Sequence, residues 1–211
     1  MVTFDVNDNQ CKDIVKVSLQ SDNFYYTFGL SLLINEVNSM LSKSSLCFLT
    51  GEPADDSKEK NIIFRDSMVS IQLNKECRRW RSENNKLNRA TIHIPFGCRQ
   101  NNLSEIMGKL EKILLIASMD YSSFSSPENH KTIGLKKFMQ LSMTECKILL
   151  LIGKGHNINN ISRILNRSEK TINTHCRNSI RKLGMLNRVE FYRYASFIAH
   201  CGNKDRSTLC L

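Results

Sequence analysis

The 211-residue sequence contains no apolar run approaching the roughly 18 residues of a membrane-spanning helix. Its opening, MVTFDVNDNQ, lacks both the basic start and the apolar stretch of a secretory signal, so a reduced, cytoplasmic setting is expected. Eight cysteines are present but no two form a CxxC pair, which speaks against a disulfide framework or a metal site. No nucleophile and base stand in an arrangement that would support covalent catalysis, so neither an enzyme nor a cofactor is expected. Internal repeats and low-complexity tracts are also absent.

What is abundant is positive charge, and it is unevenly placed. The net charge is +10; residues 141 to 211 hold 12 Lys and Arg against 4 Asp and Glu, and the first 140 hold 18 against 16. A basic surface confined to one third of the chain suits a partner that carries phosphates.

That basic third contains four short helical patterns between Leu141 and Phe197. Ser142 and Glu145 have capping-box spacing at the start of the first, which carries Ile148, Leu149, Leu151 and Ile152 and is loosened at its end by Gly153 and Gly155. Asn157 caps a second helix bearing Ile158, Ile161, Ile164 and Leu165. Ser168 caps a third that should stop at Gly184, and Asn187 with Glu190 opens a fourth. In the third helix Ile172, Cys176, Ile180 and Leu183 fall on one stripe and should be buried. Asn173, Thr174, Arg177 and Arg181 lie opposite, with donors and acceptors suited to base edges and phosphates. A short helix, a tight turn and a second helix with a basic outer face make a helix-turn-helix.

The same segment resembles the DNA-binding domain of the LuxR/FixJ/NarL family of bacterial transcription regulators. The matching residues are Leu141, Glu145, Ile148, Leu149, Gly155, Ile161, Leu165, Ser168, Thr171, Ile172, His175, Lys182, Leu183, Arg188 and Glu190. The resemblance implies a four-helix all-α fold over residues 140–200, with the third helix reading double-stranded DNA and the fourth at a dimer contact. It places Asn173, Thr174 and Arg177 at base-contacting positions and Ser168, Lys170, Thr171, Arg181 and Lys182 at phosphate-contacting ones. An Arg at position 177 can bind guanine with two hydrogen bonds. Three departures from the family pattern are Thr144 for Arg, Arg167 for an apolar residue, and Asn159-Asn160 for Lys-Glu.

The first 118 residues alternate strand and helix signals. Strands are expected at Ile14 to Leu19, Leu46 to Leu49, Asn61 to Phe64 and Thr91 to Ile94; helices at Phe24 to Met40, Lys75 to Lys86 and Leu103 to Ser118. Such alternation predicts an α/β unit with a parallel sheet. The stretch VSLQSDNFYYTFGLSLL resembles the opening of a response-regulator receiver domain, with Asp66 in the place of the phosphoacceptor. The receiver's acid pair is reduced here to Ser21-Asp22, no Lys is found for the phosphoryl oxygens, and the chain is about one strand-helix unit short. Phosphoryl transfer to a carboxylate needs a metal and a cation, so Asp66 reads as a vestigial phosphoacceptor in a truncated receiver-like domain.

Residues 119–139 have the Ser, Pro and Gly content of a linker, and residues 201–211 read as a disordered tail. The chain thus reads as a DNA-binding regulator whose first half makes protein contacts. Homodimerisation, heterodimerisation with another regulator and contact with RNA polymerase are the expected partnerships. Control by phosphorylation of Asp66, and a co-regulator acting mainly through heterodimerisation, are the competing readings. Phe191, Tyr192, Tyr194 and Phe197 on the fourth helix suit either a dimer face or a cover for the reader helix.

Overall fold

A computed structural model describes residues 14–41, 47–50, 60–74, 89–98, 101–201 and 206–211. Its first half is built on a six-stranded sheet ordered β2-β1-β3-β4-β5-β6. The strands are β1 (Ile14–Gln20), β2 (Cys47–Thr50), β3 (Lys60–Arg65), β4 (Met68–Asn74), β5 (Arg89–Pro95) and β6 (Arg206–Thr208). The expected helix at Lys75 to Lys86 lies outside the described residues.

The expected parallel sheet is corrected in one strand. β1 pairs in parallel with β2 and β3, but β4 runs antiparallel to both β3 and β5, and β6 is again parallel to β5. β4 alone therefore runs against the rest. The cause is the connection: only Asp66 and Ser67 separate β3 from β4, and two residues suffice for a hairpin but not for the crossover that parallel strands require. The alternation of β4 sends Val69, Ile71 and Leu73 into the same core as Ile62, Phe64, Ile92 and Ile94.

Two helices cover that apolar face. α1 (Phe24–Leu41) buries Leu30, Ile34 and Val37 at helical spacing, and α2 (Leu103–Ser118) buries Leu110, Ile113, Leu114 and Ala117. Asn102 and Glu105 close a reciprocal capping box at the start of α2. The stretch read as a linker is structured. α3 (Tyr121–Phe124) and α4 (Pro127–Thr132) follow one another, and Phe124 and Ile133 join the core beneath the sheet.

The second half consists of α5 (Met143–Gly153), α6 (Ile158–Leu165), α7 (Glu169–Lys182) and α8 (Arg188–His200). Ser142, Asn157, Ser168 and Asn187 cap them as expected. Gly184, at φ 63°, takes the chain out of α7 in a left-handed conformation. Gly153 has a different purpose from the one its sequence suggests. It is the buried last residue of α5, and a Cβ there would overlap the backbone carbonyl of Ala195 on α8. The missing side chain lets the two helices touch.

The halves share contacts. Met68 and Cys210 belong to the core formed by Ile148, Ile161, Ile172, Phe191 and Tyr194. The sheet's other face carries Ser70 and His93, and Phe197 of α8 meets the His93 ring edge-to-face at 5.5 Å while Arg65 lies over the Phe197 ring. The tail expected to be disordered is corrected as well. Thr208 pairs with His93, the Leu209 amide donates to the His93 carbonyl at 2.9 Å, and Leu209 and Cys210 are buried. Gln140 holds the segment with both ends of its amide: Nε2 donates to the Cys210 carbonyl at 2.8 Å and Oε1 accepts from the Cys210 amide at 2.9 Å.

Candidate nucleic-acid interface

The turn between α6 and α7 is tight. Asn166 adopts φ 49°, ψ 53°, the left-handed region that Asn tolerates better than most residues. The Arg167 amide then reaches back to the Ser162 carbonyl at 3.0 Å, closing α6 in the manner of a Schellman motif. Arg167, which departs from the family pattern, is exposed and leaves this closure intact. Ser168 follows as the cap of α7. Its hydroxyl accepts from the Thr171 amide at 3.1 Å and lies 2.8 Å from the Thr171 hydroxyl.

α7 is two-sided. Ile172, Cys176, Ser179 and Leu183 are buried, and burial pushes the Cys176 thiol above its ordinary value. On the opposite side Lys170, Thr174, Arg177 and Arg181 are all exposed and lie along one line at spacings of four, three and four. Thr174 donates its hydroxyl to the Lys170 carbonyl at 2.9 Å. No carboxylate stands within this line, so three cations remain available to an anionic partner.

Two expected contact residues are held by the protein itself. Lys182 donates to the Glu145 carboxylate at 2.8 Å and to the Gln140 carbonyl at 2.9 Å, so its ammonium is turned toward α5. Asn173 is half-buried; its Nδ2 donates to the Glu169 carbonyl at 3.0 Å and its Oδ1 accepts from Arg188 at 2.8 Å. Arg188 thereby enters the edge of the reading surface from the first turn of α8. Sequence reasoning did not assign it a contact, and only its place in the family pattern marked it.

On α8, Phe191 and Tyr194 are buried, and the Tyr194 hydroxyl lies 3.2 Å from the Thr208 hydroxyl. Burial drives the Tyr194 phenol well above the ordinary tyrosine range, so it stays protonated. Val189 and Tyr192 remain exposed.

Asp66 and Asp22 do come together. With Ser21, Asn23, Tyr26 and Cys98 they line an open cleft of about 540 Å³. The Tyr26 hydroxyl donates to the Arg65 carbonyl at 3.0 Å, and desolvation with the nearby Cys98 and Asp66 drives the phenol far above its usual range. None of the described residues lining the cleft is basic. A second cleft, of about 330 Å³, has Asp66, Ser67 and Pro95 on one wall and Leu183, Met185, Leu186 and Arg193 on the other. Among the described residues no cluster of His, Cys, Asp and Glu could hold a metal ion, and no helix is long and apolar enough to cross a membrane.

Comparison with known proteins agrees with the helical half. Residues 139–195 match the family described as "Bacterial regulatory proteins, luxR family". None of the curated proteins matches the sequence. Among solved structures, the chain is similar to the RcsB response regulator of Salmonella typhimurium at 14% identity, covering 87% of this chain and 98% of that one. Its TM-score of 0.33 is too low to bear on the first half, whose architecture rests on its own strand pairing. Residues 139–195 are a luxR-family helix-turn-helix domain, carried here behind an α/β half.

Proposed function

We propose that the protein is a sequence-specific transcription regulator that places α7 in the major groove of double-stranded DNA. The observation that carries this reading is the line Lys170, Thr174, Arg177 and Arg181, exposed and with no carboxylate among its members, on the face opposite the buried stripe of α7. Arg177, central in that line, is the base reader, joined by Thr174 and, once released by Arg188, by Asn173. Lys170 and Arg181 meet the phosphates, assisted by Ser168 and Thr171 at the helix N-terminus, where backbone amides favour anions. Lys182 drops out of the phosphate set, because its ammonium is already committed to Glu145.

One reader helix spans few base pairs, so two copies on paired half-sites give the expected footprint. The first half supplies protein contacts, including the surface for a second regulator subunit or for RNA polymerase, and the protein acts in the cytoplasm as a binder rather than an enzyme. Control is not exerted by phosphorylation of Asp66. The hairpin turn that carries Asp66, in place of the crossover that a receiver's sheet requires there, supports this.

The test is selection of duplexes from a random DNA pool at one fixed salt concentration, with wild type and Arg177→Ala in parallel. An enriched motif that is relaxed at defined positions in the variant is the expected result. Salt-sensitive binding without any enriched motif, equal in both proteins, would overturn sequence readout.

A further inference from the structure

α1 is buried on one side only. Leu30, Ile34 and Val37 face the sheet, while Phe24, Tyr25, Phe28 and Leu32 on the far side are 71%, 85%, 55% and 54% exposed. The Phe24 and Phe28 rings stack on each other at 5.9 Å, so the patch is continuous rather than a scatter of single residues. Between Phe24 and Asn35 the helix carries no charged residue; Glu36 is the first. With aromatic side chains of about 150–250 Å² each, these exposures leave roughly 500 Å² of mostly apolar surface. A contiguous apolar patch of this size lies in the upper part of the range that single soluble proteins expose, and patches of that kind are often contact surfaces.

The fourth helix of the DNA-binding domain is the contact that the family resemblance implies for dimers, but here α8 is largely spent. Phe191, Tyr194, Ala195 and Ile198 are buried against α5 and the sheet, and Phe197 lies against His93 and Arg65. Of its large apolar side chains only Val189 and Tyr192 remain exposed.

We infer that the outer face of α1 is the surface on which two copies of this chain associate. Two such faces meeting about a twofold axis hide about 1,000 Å² in total, the size at which specific interfaces begin. An uncharged face also suits a second copy of a chain whose net charge is +10: it brings no like charges together, whereas it offers nothing to steer an acidic partner. This proposal extends the two-copy reading above and rests on it.

The experiment is sedimentation equilibrium of the full chain in three forms: wild type, Phe28→Glu with Leu32→Glu, and Val189→Glu with Tyr192→Glu. Each is also titrated against duplexes bearing one or two copies of the enriched motif. The α1 variant is expected to dimerise at least 100-fold more weakly and to lose cooperative binding to the two-site duplex. Its binding to the one-site duplex should stay at the wild-type level, which separates this proposal from the DNA-binding reading itself. Both α1 substitutions are at exposed positions; if a melt shows that glutamate unfolds the chain, Phe28→Ser removes the same contact. A monomeric wild type, an α1 variant that dimerises normally, dissociation confined to the α8 variant, or α1 captured only by a different protein would each overturn it.

Discussion

The Lys182 ammonium lies 2.8 Å from the Glu145 carboxylate and ties the last turn of α7 to the first turn of α5. Desolvation works to raise the Glu145 carboxyl, but Lys182 and the Ser142 amide and hydroxyl outweigh it and hold the group below the ordinary glutamate range. A carboxyl depressed on folding contributes stability at neutral pH, and that contribution fades as the pH falls below about 4.3, the ordinary glutamate value. Lys182→Met should flatten this acid limb in thermal melts taken across the range. At neutral pH it should cost about 1–3 kcal/mol, because a buried acceptor loses its partner.

Gly153→Ala should destabilise the helix-turn-helix unit. The added methyl meets the backbone of Ala195, not the end of a flexible side chain, so α8 must move as a whole. Overpacking of this kind costs about 1–3 kcal/mol. The melting temperature should drop by several degrees, whereas Gly108→Ala on α2, where a Cβ meets nothing within 4 Å, should not lower it.

Lys170→Ala and Arg181→Ala should weaken binding to all duplexes alike and shallow the salt dependence by about one unit of slope each. Arg177→Ala should instead cost about 1–3 kcal/mol on the enriched motif and little on random DNA. Titrations at several salt concentrations distinguish the two behaviours.

A small phosphodonor with Mg²⁺ should leave Asp66 unlabelled. Asp66→Asn should bind DNA with wild-type affinity, with or without the donor. Stoichiometric labelling that is lost in Asp66→Asn would restore the phosphorylation-controlled reading.

Gln140→Ala should release the segment that follows α8. Both hydrogen bonds from the Gln140 amide go to Cys210, so hydrogen exchange at the amides of Leu209 and Cys210 should speed up by at least tenfold.

Most of the helical half was legible because its signals are local. The caps at Ser142, Asn157, Ser168 and Asn187 and the stripe Ile172, Cys176 and Leu183 each lie within a few turns of helix. The sheet was harder. Met68–Asn74 alternates as a strand should, yet the expected strand stops at Phe64 and none is expected after Asp66, because a two-residue turn leaves little punctuation between the two. β6 is three residues long and depends on a partner more than a hundred residues away, which no local pattern can announce. Lys182 stands at a phosphate-contacting position of the family pattern, yet its side chain is long enough to turn inward to Glu145. The helix expected at Phe24 to Met40 is present, but periodicity shows that an apolar face exists without showing whether anything covers it.

The sixth strand has an implication for how the protein is made and how it can be cut. β6 completes the sheet of the first half but is encoded beyond the DNA-binding helices. During synthesis the sheet therefore waits with an open edge at β5 until the reader domain has emerged, so the two halves finish folding together. A fragment ending before α5 would keep that edge bare and the His93 carbonyl without the Leu209 amide. Grafting the first half onto another reader would have to carry residues 206–211 along, and any exchange of modules in this chain needs two junctions instead of one.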